Sequence, residues 1–106
     1  LANMKAISVS VLGKVQGVAF RYYTKIKADE LGLNGTVQNL EDGSVLIHTI
    51  GDQQNLDSII KWCNVGSPAS KVEQVIINDL TDQNIESRLD INLPKSNERK
   101  FMILRH

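Results

Sequence analysis

Nine residues, Gly13-Lys14-Val15-Gln16-Gly17-Val18-Ala19-Phe20-Arg21, join a stretch of period two to a stretch of helical period. Before them, Ile7, Val9 and Val11 alternate with Ser8 and Ser10 across Lys5 to Leu12, the pattern of a half-buried strand. After them, from about Phe20 to Leu31, Thr24, Ala28 and Leu31 fall at i, i+4 and i+7 with Tyr23 beside them. Ile26 fits that face poorly. Gly32 follows as a helix-ending C′ residue would. The joining loop therefore feeds a helix N-terminus. A glycine-rich loop there aims several backbone N–H groups at one spot, and the helix behind it adds partial positive charge. Phosphate fits such a spot. The loop holds two glycines and one arginine but no acidic residue and no nucleophile, so it binds phosphate without attacking it.

The remaining elements follow from the same signals. Gly35 to Asn39 reads as a short strand. Glu41-Asp42-Gly43 is a hairpin turn, with Asp-Gly a strong turn signal. Ser44 to Ile50 returns, with Val45 and Ile47 on one face and Leu46 and His48 on the other, and Gly51 stops it. Asn55 to Val65 is helical, with Leu56, Ile59, Ile60 and Cys63 on one side. Gly66-Ser67-Pro68 breaks that helix, and Lys71 to Leu80 is a strand. Thr81 to Arg99 is polar and hard to assign, with Ile85 to Leu93 a candidate for an extra element. Phe101 to Leu104 reads as a last, edge strand.

This order, β-α-β-β-α-β plus a terminal strand, predicts an α+β fold: a ferredoxin-like two-layer sandwich with both helices on one face of an antiparallel sheet. Strands one and two then run the same way with strand three between them. Two strand spacings separate their C-terminal ends, roughly 10 Å. The glycine loop and Asn39 are expected to face one pocket.

At 106 residues the chain reads as one domain over residues 4–106, with Leu1-Ala2-Asn3 a remnant ahead of Met4. Twelve basic residues balance twelve acidic ones, so long-range attraction to nucleic acid or an anionic membrane is not indicated. One cysteine allows no internal disulfide and no cysteine-based metal cluster. No apolar run is long enough to span a bilayer, and no leader is visible. The expectation is a cytoplasmic monomer.

Several phosphate chemistries lack their parts. Cys63 lies on the core face of the second helix rather than in the cradle, the place of a small buried hydrophobe. The loop has no Gly-Lys-Ser/Thr. The acids are scattered, and His48 and His106 have no ligand-like spacing, so neither a metal nor another cofactor is expected. Gln16 either lines the pocket or is a polar turn residue, and Lys14 either adds charge or is solvated. A cradle without metal, nucleophile or general acid suits a phosphoryl transfer whose leaving group needs no proton. A mixed anhydride of carboxylate and phosphate meets that condition, with water as the attacker and catalysis by positioning and charge stabilisation. Arg21 would clamp two phosphate oxygens with its fork. Asn39 is the natural holder of the water, having both a donor and an acceptor.

These residues resemble the acylphosphatase family. One signature is matched by Gly13, Val15-Gln16-Gly17-Val18 and Phe20-Arg21, a second by Gly35, Val37, Asn39, Gly43, Val45 and Gly51. Gly66-Ser67-Pro68 and Phe101-Met102-Ile103 also look like family positions, so the resemblance runs from about Lys5 to Arg105. It implies a small, metal-free, cytoplasmic hydrolase of acyl phosphates. Phosphate would be held by Val15, Gln16, Gly17, Val18, Ala19, Phe20 and Arg21, and Asn39 would orient water. The implied partners are a small-molecule acyl phosphate and inorganic phosphate. Thr36 stands where the family usually has an aromatic residue, which predicts looser packing there. The competing reading is a non-catalytic anion- or metabolite-binding module on the same scaffold. A domain cut from a larger carbamoyl-phosphate-using maturation protein is a third, disfavoured by the self-contained strand count.

Overall fold

The computed structural model describes residues 4–81 and 101–105. Among the described residues seven elements follow one another: β1 (Lys5–Lys14), α1 (Phe20–Glu30), β2 (Asn34–Asn39), β3 (Val45–Gly51), α2 (Gln53–Val65), β4 (Lys71–Asp79) and β5 (Phe101–Ile103). The candidate element at 85–93 lies outside the described residues. The sheet order is β4-β1-β3-β2-β5. β3 pairs antiparallel with both β1 and β2, so β1 and β2 run the same way and end on one edge. This is the predicted sandwich. The apolar alternation of β1, β2 and β3 places Val9, Val11, Val37, Val45 and Ile47 against Phe20, Ala28, Leu56, Ile59 and Cys63 of the two helices. A smaller cluster, Ala6 and Leu80 with Ile50 and Met102, is separate from that core.

Several boundaries move for identifiable reasons. β1 runs two residues beyond Leu12, because a bulge between Leu12 and Gly13 lets Gly13 and Lys14 keep pairing with Val72 and Lys71. Gly13 has φ +126°, and a Cβ there would run into the Lys71 carbonyl. α1 ends at Glu30 rather than Leu31. Its close is a Schellman motif, with the Gly32 and Leu33 N–H groups donating to the Asp29 and Ala28 carbonyls and Gly32 at φ +68°. α2 begins at Gln53, two residues early, since the Asp52 carboxylate caps it by accepting from the Asn55 N–H at 2.8 Å. The turn from β2 to β3 is held by Asp42, which accepts from the Ser44 N–H at 2.9 Å and the Ser44 hydroxyl at 2.6 Å. Those bonds hold the Asp42 carboxyl below its usual pKa.

β5 departs from the expected antiparallel sheet. It lies parallel to β2, with Gly35 opposite Phe101 and Val37 opposite Ile103. Phe101 is fully buried and anchors it, its ring against the bare Gly35. Two cations of α1, one turn apart, also hold β5: Lys25 Nζ donates to the Phe101 carbonyl at 2.9 Å and Arg21 Nη1 to the Leu104 carbonyl at 3.2 Å. Thr36 is 3% exposed between His48 and Met102 on the neighbouring strands, so its short side chain leaves no solvent-open gap.

Gly35 gives a stability prediction. A Cβ there would meet the His48 carbonyl, the Thr49 Cα at 2.8 Å and the Phe101 ring at 3.0 Å. Backbone on one side and a buried ring on the other cannot yield. Gly35→Ala should cost about 2 kcal/mol as overpacking and lower the thermal midpoint by roughly 10 °C, as read by circular dichroism.

Candidate active site

The loop leaving β1 is fixed from both sides. Gln16 Nε2 donates to the Leu40 carbonyl at 2.8 Å and the Ser44 carbonyl at 2.7 Å, which ties the loop to the β2–β3 turn. The Ser67 hydroxyl, just past α2, donates to the Val18 carbonyl at 2.8 Å. Val15 and Phe20 are 1% exposed, and Phe20 packs on Trp62 with ring centroids 5.1 Å apart. Between these anchors Gly17 takes φ +75° and Ala19 φ +61°. Ala19 is the sole non-glycine residue with positive φ among the described residues. An alanine held there stores local strain, which persists only where surrounding packing imposes it. Left-handed residues at Gly17 and Ala19 turn neighbouring amides toward one side, as in an anion nest. Among the described residues, no backbone N–H from Gln16 to Tyr22 donates to another group; the first α1 bond is Tyr23 N–H to the Ala19 carbonyl.

A cavity of about 260 Å³ opens over this loop. Val15, Gly17, Ala19, Phe20 and Arg21 line it from the loop and the first turn of α1. Asn39 lines it from the end of β2, where the strand topology was expected to bring it. Arg21 is half-buried and forms no ion pair among the described residues. Its bond to Leu104 uses one nitrogen, so most of the fork remains for a ligand. Asn39 Oδ1 is buried and has no hydrogen-bond partner among the described residues. Buried acceptors are rarely left so, and this one belongs to a residue of the cavity lining.

Two expected phosphate-contacting residues stand differently. Gln16 spends its side chain on Leu40 and Ser44, and Val18 packs against the core; neither lines the cavity. Only their backbone N–H groups remain for an anion. Gln16 thus bridges the loop to the turn beside Asn39. Gln16→Met keeps the length and removes both donors. It should lower kcat about tenfold by letting the loop and Asn39 shift relative to each other, while the inhibition constant of inorganic phosphate stays within about twofold. A parallel weakening of phosphate inhibition would place the Gln16 side chain on the anion.

Sequence reasoning missed Tyr22, Ile103 and Arg105, which also line the cavity. Tyr22 was legible as the neighbour of Arg21. Ile103 and Arg105 were not, because only the parallel pairing of β5, with the Leu104 N–H donating to the Val37 carbonyl at 2.8 Å, carries them to the edge where Asn39 sits. Cys63 is buried away from the cavity, and burial pushes its thiol up to about 12. Among the described residues, no group of three or more histidine, cysteine or acidic side chains is placed to hold a metal ion, and no helix is long and apolar enough to cross a membrane.

Comparison with known proteins agrees with this geometry. Residues 7–91 match the acylphosphatase family model. An acylphosphatase of Nocardioides is 45% identical over 82 residues, which cover 77% of this chain and 83% of the relative. One of Shewanella amazonensis is 41% identical over 93 residues, covering 88% of this chain and all of the relative. The solved acylphosphatase of Coxiella burnetii superposes with a TM-score of 0.76 at 29% identity, over 97% of this chain and 95% of that one. The chain belongs to the acylphosphatase family, enzymes that hydrolyse the carboxyl–phosphate bond of acyl phosphates.

Proposed function

We propose that this hydrolysis takes place in the cavity over the β1–α1 loop, by direct attack of water and without a metal. The loop amides and the Arg21 fork hold the phosphoryl oxygens, where they oppose the charge that spreads over them as the transition state forms. Asn39 holds the water, which donates one O–H to the buried Oδ1 and keeps a lone pair facing phosphorus. The water oxygen bonds to phosphorus as the bond from phosphorus to the acyl oxygen breaks. The electron pair leaves on the carboxylate, so no acid is needed at the leaving group. The entering water keeps one proton and passes the other to a phosphoryl oxygen, giving carboxylate and dihydrogen phosphate. Asn39, lining the same cavity as Arg21 and with its Oδ1 bonded to no other group among the described residues, carries this reading.

The test compares leaving groups. Benzoyl phosphate should be hydrolysed at least about 10²-fold faster than glycerol phosphate, whose alkoxide must be protonated and gains most from a general acid. Comparable rates would mean that an acid acts in the site. Activity should survive exhaustive EDTA treatment, and loss restored by Mg²⁺ or Zn²⁺ would sink the metal-free mechanism. Phosphate binding without turnover of benzoyl phosphate would leave the chain an anion-binding module.

A further inference from the structure

Among the described residues the cavity lining carries two arginines and no acidic residue. Arg21 and the loop amides already account for the phosphoryl group. Arg105 is surplus to that task. It is exposed, just past the end of β5, and no carboxylate pairs with it among the described residues. Beside it the lining changes character. Ile103 is apolar, and Tyr22, 58% exposed, offers an aromatic face on the adjoining turn of α1. The cavity's 260 Å³ also exceeds what a phosphoryl group fills. At about 10–15 Å³ of such space per water-sized group, five heavy atoms take roughly 50–75 Å³ and leave room for a short acyl chain.

We infer that Arg105 receives a second anionic group at the far end of the acyl chain, with Ile103 and Tyr22 flanking its carbons. The preferred substrates are then acyl phosphates of short diacids rather than of monoacids. This rests on the hydrolysis proposed above and names the substrate class of the same site. A guanidinium fork takes either a carboxylate or a phosphonate in two-point contact. At an exposed position such a pair contributes modestly, so the preference should be several-fold and not orders of magnitude.

The experiment compares kcat/KM for succinyl phosphate, 3-phosphonopropionyl phosphate and butyryl phosphate in the wild type and in Arg105→Gln. These chains are alike in length and differ in the terminal group. The wild type should favour both substrates with an anionic chain end about fivefold over butyryl phosphate, and added salt should erode the gap. A preference for one of the two names the anion that Arg105 takes. Arg105→Gln should abolish the preference, because kcat/KM falls about fivefold further for the two substrates with an anionic chain end than for butyryl phosphate. Its thermal midpoint should not change, because Arg105 makes no side-chain hydrogen bond among the described residues. The same contrast should appear by calorimetry as a several-fold tighter binding of succinyl phosphonate than of butyryl phosphonate, lost in the variant. Equal loss on all three substrates would place Arg105 on the phosphoryl group and overturn the inference. So would a wild type that prefers none of them. A wild type that hydrolyses none would instead overturn the proposed reaction, before any variant is made.

Discussion

Arg21→Ala should lose at least about 10²-fold in turnover, and inorganic phosphate should inhibit it far more weakly. Arg21 is the cation in the cavity that reaches it from the same helical turn as the free amides, and no carboxylate among the described residues neutralises it. Its charge meets the phosphoryl group both in the bound substrate and in the transition state. Losing it should therefore weaken binding and slow chemistry together, as loss of one strong preorganised donor does elsewhere. Arg21→Lys should recover little, since a point charge cannot replace a fork that grips two oxygens. The side chain also holds the Leu104 carbonyl at 3.2 Å, so Arg21→Ala frees the end of β5. That structural loss amounts to about one hydrogen bond and should show as a small fall in thermal midpoint. Near-normal phosphate inhibition in Arg21→Ala, measured by steady-state kinetics, would contradict the clamp.

Asn39→Ala should lose turnover on a similar scale, about 10²-fold or more, and yet keep its affinity for phosphate. The interaction with water strengthens as the nucleophile closes on phosphorus, so its loss lowers kcat rather than raising KM. Stability should not fall with activity. Asn39 Oδ1 bonds no other group among the described residues, so its removal breaks no hydrogen bond within them. Removing it should leave the thermal midpoint unchanged or raise it. A fully stable, inactive protein that still binds phosphate is the signature of a residue kept for chemistry. Asn39→Asp should be impaired in both binding and turnover, because it places negative charge beside the phosphate and loses the amide donor. Normal turnover of Asn39→Ala would reduce Asn39 to a turn former. Gln16 is a poor substitute holder, its amide being committed to the Leu40 and Ser44 carbonyls.

Local rules were enough for much of this protein. Alternation in β1 and β3, helical spacing in α1 and α2, the Asp-Gly turn and the stop at Gly32 are short-range patterns, and each is set by which backbone conformations and buried faces those residues permit. Their order then leaves one economical topology, with β3 between β1 and β2. That topology alone brings Asn39 to the edge where the glycine loop and Arg21 lie, so the meeting of Arg21 and Asn39 at one cavity was legible before any coordinates.

Tertiary structure decided whatever depends on a partner distant in the chain. Pairing with β4 keeps Gly13 and Lys14 in the strand, since glycine at a bulge lets another backbone approach where loop propensity argued for a turn. Gln16 is polar and sits in a turn under either reading. Only the carbonyls of Leu40 and Ser44, more than twenty residues on, make it a brace. Ala19 carries no local sign of its left-handed backbone, which the packing of Phe20 on Trp62 and the Ser67 bond to Val18 impose from outside. β5 is three residues long, too short for periodicity to reveal its direction. Burial of Phe101 over Gly35 sets it parallel to β2, and that pairing places Arg105 at the cavity. Side-chain chemistry was readable one residue at a time, whereas the company each side chain keeps was settled by contacts that only the folded chain makes.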